Sequence, residues 1–229
     1  MRTAIAVELQ DGRHRTRLVG GAVRAQVVAS DPSVCRIGLL ASTALLLGGD
    51  SVELEVVVGP GACLELFDVA ATVAYHGRGR PASWRLQVEV GAKASFRYAG
   101  QPLIVADGAD VRRTSDLTVA TDARLQLREV VVLGRVGELG GTLVTSTVLR
   151  SGGRDLWREE QQLAAGPARS RPGLLGAHRV VDTVLSLGRI FPAVATQFQL
   201  VDGSGTVTRF LGAEVAASPV AQAWGMTGP

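Results

Sequence analysis

Apolar and polar residues alternate with a period of two over much of this chain. The clearest case runs from Leu45 to Tyr75, LLLGGDSVELEVVVGPGACLELFDVAATVAY. Val52, Leu54, Val56 and Val58 alternate with Glu53, Glu55 and Val57; Gly59-Pro60-Gly61 forces a tight turn; a second alternating run carries Leu64 and Leu66. Period-two alternation bounded by glycine and proline predicts strand–turn–strand. The unit recurs from Leu86 to Tyr98 and from Leu117 to Leu127. Val58, Val90 and Val119 take equivalent places, 32 and then 29 residues apart, and Leu64, Phe96 and Leu125 follow them by six. A period of about thirty residues with two strands per unit predicts a mainly β fold of layered, β-helix-like stacked sheets, each unit burying its apolar edge on the next. An ordinary β-sandwich with look-alike hairpins is the alternative that the pattern leaves open. In either, Val56, Val58, Leu64, Val88, Val90, Phe96, Val119, Leu125 and Leu127 face one interior.

Elsewhere, Thr3 to Leu9 and Leu18 to Ala29 read as strands, and Val34 to Leu47 as a buried strand or a short helix. The Gly/Arg loop His76 to Pro81 is the segment of the first half expected to be most flexible. Thr142 to Leu149, rich in Thr and Val, predicts a strand with Leu156 to Leu163 as its partner. From Gly166 the character changes. Val180, Val181, Val184, Leu185 and Leu187 recur at helical spacing, so Leu174 to Leu187 is predicted as a helix ended by Gly188. Asp202-Gly203-Ser204-Gly205 marks a hairpin between Phe198–Val201 and Thr206–Thr208, and the tail from Phe210 carries a second helical segment interrupted at Pro219.

Length and composition place these elements in one β-rich domain, 1–229, with repeated units over 1–165 and a loop, helix and tail over 166–229. A formal charge of +3, scattered arginines and few aromatic residues argue against nucleic-acid binding. Two cysteines, Cys35 and Cys63, make no disulfide framework, and the N-terminus has no apolar stretch of signal-peptide kind. The longest apolar run, Ile37 to Leu47, is interrupted by Ser42 and Thr43 and is far short of the ~20 residues that cross a bilayer. A cytoplasmic protein with reduced thiols and no membrane span is the expectation.

Motifs of chemistry are scarce. His14, His76 and His178 lie far apart, and Cys-x-x-Cys, Gly-x-Ser-x-Gly, phosphate-loop and dinucleotide signatures are absent from the sequence. Gly48-Gly49-Asp50 reads first as a turn, and Cys63 as a small core residue. Asp50, Asp68 and Glu129 could act as acid and base on a glycoside, but Trp84, Trp157 and Trp224 are too dispersed to form a sugar platform.

The order of several short segments does carry a resemblance. Gly48-Gly49-Asp50 opens a strand; Val56 to Ala62 is a valine-rich strand, a glycine turn and an alanine; Ala71-Thr72-Val73-Ala74-Tyr75 and Gln101-Pro102 follow. Glu129 then precedes Leu133-Gly134-Arg135 and Gly137-Glu138, and Leu156 to Glu159 closes the set. This series is similar to the urease accessory protein D family, also called UreD or UreH, over roughly residues 34 to 187, with Val73 where the family carries lysine. The resemblance implies a non-enzymatic urease maturation factor of layered β sheets with two helices. It implies binding to urease apoprotein and to accessory protein F, and through it to the GTPase accessory protein G. It also implies a part in GTP-dependent nickel insertion, with no stably bound cofactor and nickel only in transit. A structural β-solenoid interaction module with no metal role is the competing reading.

On that resemblance Asp50, Glu129 and Glu159, with Thr72, are candidate nickel-route residues. Val180, Val184, Leu187, Phe210 and Trp224 form a candidate dock for accessory protein F. Acidic side chains pointing into a β interior cost several kcal/mol unless paired or hydrated. The three acids are therefore expected to share a wet internal channel. The plainer expectation is local pairing, Glu129 with Arg128 or Arg124 and Glu159 with Arg158 or Arg154.

Overall fold

The computed structural model describes residues 2–164 and 175–226. Its strands are β1 (Arg2–Gln10), β2 (Arg13–Val19), β3 (Val23–Ser30), β4 (Cys35–Ala41), β5 (Ser51–Val58), β6 (Cys63–Asp68), β7 (Thr72–Ala74), β8 (Ala82–Val90) and β9 (Ser95–Ala99). They continue as β10 (Leu103–Val105), β11 (Asp110–Val119), β12 (Arg124–Leu133), β13 (Thr142–Ser151), β14 (Arg154–Leu163), β15 (Val180–Leu187), β16 (Thr196–Gln199) and β17 (Gly205–Gly212), followed by helix α1 (Pro219–Met226). One sheet has the order β14-β13-β11-β8-β5-β1-β2; the other runs β16-β17-β15-β12-β9-β6-β4-β3, with β10 and β7 alongside β12.

The chain passes from one sheet to the other and back, and its central strands pair in parallel within each sheet. This is a β-solenoid of about four turns. A sandwich of local hairpins would have paired sequential strands antiparallel, so the parallel register settles the alternative that the alternation left open. The sequence repeat and the coil are the same object. Val58 pairs with Val90 and Val90 with Val119; on the facing sheet Leu64 pairs with Phe96 and Phe96 with Leu125. All nine residues expected to face one interior are buried. Antiparallel hairpins finish the stack, β1–β2 and β3–β4 at one end, β13–β14 and β12–β15–β17–β16 at the other. Terminal units of stacked repeats need such caps to close an otherwise open apolar edge. The outermost strands β2 and β14 are rich in charge, which blunts the free edges against further pairing.

Two expectations in the C-terminal part are corrected. Val180–Leu187 is a strand, and Leu174 lies outside the described residues. β15 is covered on both faces: Val181, Leu185 and Leu187 face the core between the sheets, while Val180, Asp182, Val184 and Ser186 are buried on the other side. A strand buried on both faces loses its period-two signature, and valines at both parities then imitate a helical stripe. Its β-branched content, Val180, Val181, Thr183 and Val184, carried the contrary signal. The second correction concerns Pro219, which begins α1 instead of interrupting it. At the first helical position proline's missing N–H costs nothing and its fixed φ is already helical.

The segment after β17 lies over the outer face of the second sheet. Phe191, Val220, Ala223 and Trp224 pack on Val184 there, with Phe210 and Ala99 at the margin. Beneath them Asp182, fully buried, receives Arg128 Nε at 3.0 Å, Arg128 Nη2 at 2.8 Å and Ser218 Oγ at 2.7 Å. The loop at 76–81 is tied to neighbouring turns, Gly77 N–H donating to Gly108 O and Gly49 N–H to Pro81 O. Between Phe198 and Thr206 the chain makes the expected hairpin, β16 antiparallel to β17. Among the described residues no helix is long and apolar enough to cross a membrane.

Candidate functional site

Each strand of a coil contributes one inward residue per level, so the space between the sheets is built in rows that run along the stack. The rows through Val58 and Leu64 are apolar along the coils, as Val58-Val90-Val119 and Leu64-Phe96-Leu125. Another level is not. On the first sheet Trp84, Arg113, Thr145 and Gln161 are in register on β8, β11, β13 and β14, and the adjoining inward row holds Leu86, Ser115, Thr147 and Glu159. On the second sheet Glu129, Thr183 and Arg209 are in register on β12, β15 and β17. One residue beyond the Phe67–Ala99–Arg128 register come Asp68, Gly100 and Glu129. The two sheets thus bring polar inward residues face to face at this level, in a row with Leu86 and Gly100 among them.

Two clefts lie along it. The first, about 40 Å³, is lined by Glu129, Thr145, Thr147, Glu159, Gln161, Thr183 and Arg209 among apolar neighbours. The second, about 20 Å³, is lined by Asp68, Thr72, Trp84, Tyr98, Gln101, Leu103 and Arg113. A polar cavity of this size has room for roughly one to three waters. Arg113 joins the two clefts: it lines the second, and its Nη2 lies 3.0 Å from Glu129 Oε1 of the first. A wider depression of about 290 Å³ shares Gln161, Leu163, Val181 and Arg209 with the first cleft.

Every carboxylate of the row has fixed partners. Glu129 Oε1 also accepts from Ser115 Oγ at 3.0 Å. Glu159 accepts from Arg209 Nη1 at 2.9 Å and Nη2 at 2.6 Å, and from Gln161 Nε2 at 2.9 Å. Burial pushes the Glu159 carboxyl up, but the Arg209 fork outweighs it and holds the group below its usual range. Asp68 accepts from Tyr98 Oη at 2.9 Å and from the Gln101 N–H at 3.0 Å. Burial nevertheless leaves the Asp68 carboxyl above its ordinary value, against those donors and Arg113, and raises the fully buried Tyr98 phenol well above its own.

The site residues expected from sequence divide accordingly. Glu129 and Glu159 come together in one cleft, and Thr72 lines the next beside Asp68. Asp50 lines neither. Its Oδ2 accepts from the Leu47 N–H at 2.9 Å and closes the Gly48-Gly49-Asp50 turn. A Cβ on Gly48 would come within 2.1 Å of Gly77 O, so this turn admits only glycine there. The local pairings expected for Glu129 and Glu159 do not form. Arg128 and Arg158 are strand neighbours and point to the opposite face, where they bond Asp182 and Asp155. The arginines that reach the inner acids, Arg113 and Arg209, lie on other strands and were missed. Their signal was a charged residue at an inward place of an alternating run, as in Val111-Arg-Arg113-Thr-Ser115-Asp-Leu117.

Of the expected docking residues, Val180, Val184, Leu187 and Trp224 are buried in the chain itself, and Phe210 is half-buried at the edge of the α1 cluster. None of the first three presents a helical face. The Gln101-Pro102 pair positions the second cleft: Gln101 N–H holds Asp68, and Pro102 O accepts from the Thr72 N–H. Val73 pairs with Ile104 in the β7–β10 ladder. Leu133-Gly134-Arg135 and Gly137-Glu138 form a turn closed by the Arg135–Glu138 ion pair, which drops the Glu138 carboxyl to about 2. Burial raises the Cys35 and Cys63 thiols, which suits neither to nucleophilic work.

Among the described residues no three His, Cys, Asp or Glu side chains are grouped to hold a metal ion. The polar row offers single carboxylate, hydroxyl and amide oxygens in sequence along the stack. Such a set lacks the ligand count of a tight transition-metal site.

Comparison with known proteins agrees with the resemblance noted in the sequence. The family model described as UreD urease accessory protein matches residues 4–225. The chain is similar to urease accessory protein UreD 1 of Streptomyces griseus subsp. griseus, 36% identical over 219 residues, covering 94% of this chain and 86% of the relative. It is 36% identical over 197 residues to urease accessory protein UreD of Parafrankia sp., covering 76% of this chain and 63% of the relative. With urease accessory protein UreD of Streptomyces avermitilis it shares 31% identity over 194 residues, 82% of this chain and 76% of the relative.

Proposed function

Because the chain belongs to the UreD urease accessory protein family and so has a role in urease maturation, we propose that it is a non-enzymatic scaffold which binds urease apoprotein and helps deliver nickel to it. The observation that carries the metal part is the polar row, which puts Glu129 and Glu159 in one cleft and Asp68 and Thr72 in the next, in an interior otherwise filled by Leu, Val and Phe. Nickel is the cargo of this row and not a resident cofactor. Isolated oxygen donors among waters favour a divalent cation without trapping it. Accessory protein F docks on the C-terminal segment, over α1 and the exposed Ile190 beside it, and brings the GTPase accessory protein G to the same assembly. Phe210 and Trp224 support that surface from below, and Val180, Val184 and Leu187 belong to the strand beneath it.

The pairing of each acid with an arginine favours the competing reading, in which the row only ties the sheets together. A reconstituted activation assay separates the two. Glu129→Ala and Glu159→Ala, singly and together, are expected to lower nickel content and urease activity while the complex with accessory proteins and apoprotein still assembles. Asp50→Ala, whose carboxylate closes a turn, is the control for a merely structural acid. Full activation by the double variant would sink the conduit, and loss of assembly would assign the acids to structure.

A further inference from the structure

The carboxylates of the polar row are already occupied by cations that the chain supplies. Three acids, Asp68, Glu129 and Glu159, face two guanidiniums, Arg113 and Arg209. The Arg113 side chain is only 8% exposed and stands between the two clefts. Arg209 is anchored by its Nε to Thr183 Oγ1 at 3.1 Å while its two terminal nitrogens cover both oxygens of Glu159. Buried donors are as a rule hydrogen-bonded. Arg209 meets that rule, but Arg113 Nε has no acceptor among the described residues, nor does Trp84 Nε1 in the same cleft. The row therefore sets two guanidiniums against three carboxylates, and one of those guanidiniums is incompletely bonded.

We propose that Arg113 and Arg209 are tethered counter-cations that close the polar row to divalent metal ions in the isolated chain, so that nickel enters only when they are drawn off Glu129 and Glu159. This rests on the conduit reading above and adds its gate. Both are positioning residues, acting through the carboxylates they cover.

The test is direct binding to the purified full chain, with nickel(II) itself as the probe and tryptophan quenching as the readout. Trp84 lines the second cleft and Trp157 the first, whereas Trp224 lies outside on Arg97, 4.2 Å from its ring centre, and serves as a reference. The unsubstituted chain is expected to show little quenching of Trp84 and Trp157 at neutral pH. Arg113→Leu, which removes one positive charge, is expected to bind nickel about tenfold more tightly or better. Adding Glu129→Gln to that variant abolishes the gain, and Arg113→Lys, which keeps the charge, stays closed. Equal quenching in the unsubstituted chain and Arg113→Leu overturns the gate, as does quenching indifferent to Glu129→Gln. Should Arg113→Leu fail to fold, Arg209→Gln, at the more exposed end of the row, makes the same comparison through Trp157 with Glu159→Gln as its control. Neither overturning result touches the conduit reading, which stands or falls on the activation assay.

Discussion

Glu159 illustrates how a single acid is tolerated inside a β stack. Its two oxygens take both terminal nitrogens of Arg209 and a third donor from Gln161, and a quarter of the side chain still meets solvent. Glu159→Gln should cost about 1–3 kcal/mol at neutral pH, because it strands a guanidinium that is mostly buried but not sealed from water. The group's folded value lies below its unfolded one, so the stability it contributes is complete above the unfolded carboxyl value and is lost as pH falls through the depressed one. Urea midpoints of the two chains should therefore converge as the solution is acidified below about pH 4. A gap that stays constant with pH would show that the ion pair is not its source. That this acid is polar and in a strand was legible in the sequence. Its partner was not, since Arg209 lies 50 residues away on the facing sheet, and alternation tells which side of a strand a residue takes but not what waits there.

At the scale of elements, the strands that alternate cleanly were read correctly because each has one buried and one wet face. β5, β8 and β11 are of this kind, and their repeat spacing gave the coil directly. Val90, stacked between Val58 and Val119, is the middle of that ladder. Val90→Asp removes about 1.5–3 kcal/mol of apolar burial and puts an unpaired charge between two valines, a further cost of several kcal/mol. Loss of soluble, cooperatively melting protein is expected; a variant that keeps its thermal midpoint would refute the stacking of these valines. β15 was misread because the C-terminal segment buries its second face, which no local pattern announces. The tie between them is Asp182. Asp182→Ala leaves Arg128, 13% exposed, without its carboxylate and should destabilise by about 3–5 kcal/mol by thermal or urea denaturation, with Arg128→Met in the same chain recovering part of the loss.

For the whole molecule the same segment predicts a division of labour. Ending the chain after Gly212 would remove α1 and Ser218, uncover Val184 and Phe191, and take one donor from Asp182, while every strand of the solenoid keeps its neighbours. Such a chain should retain its β content by circular dichroism, bind a hydrophobic dye and lose solubility, and fail to capture accessory protein F. Capture at undiminished affinity would move the dock elsewhere. The family and the β stack were visible in the order of short segments. The polar row was not, because it exists only once strands from distant parts of the chain are laid in register.

Register also gives the molecule a unit of length. Asp68, Glu129, Thr183 and Arg209 sit on rungs of one ladder, which β6, β9, β12, β15 and β17 cross in turn. Four strand spacings of about 4.8 Å set the reach of the row near ~19 Å. A chain of this architecture can change that reach only in whole rungs. Duplicating or excising one coil would slide everything downstream along the axis by a single step without turning an inward residue outward. The distance between what binds at either end would then be counted in strands and not tuned by side chains.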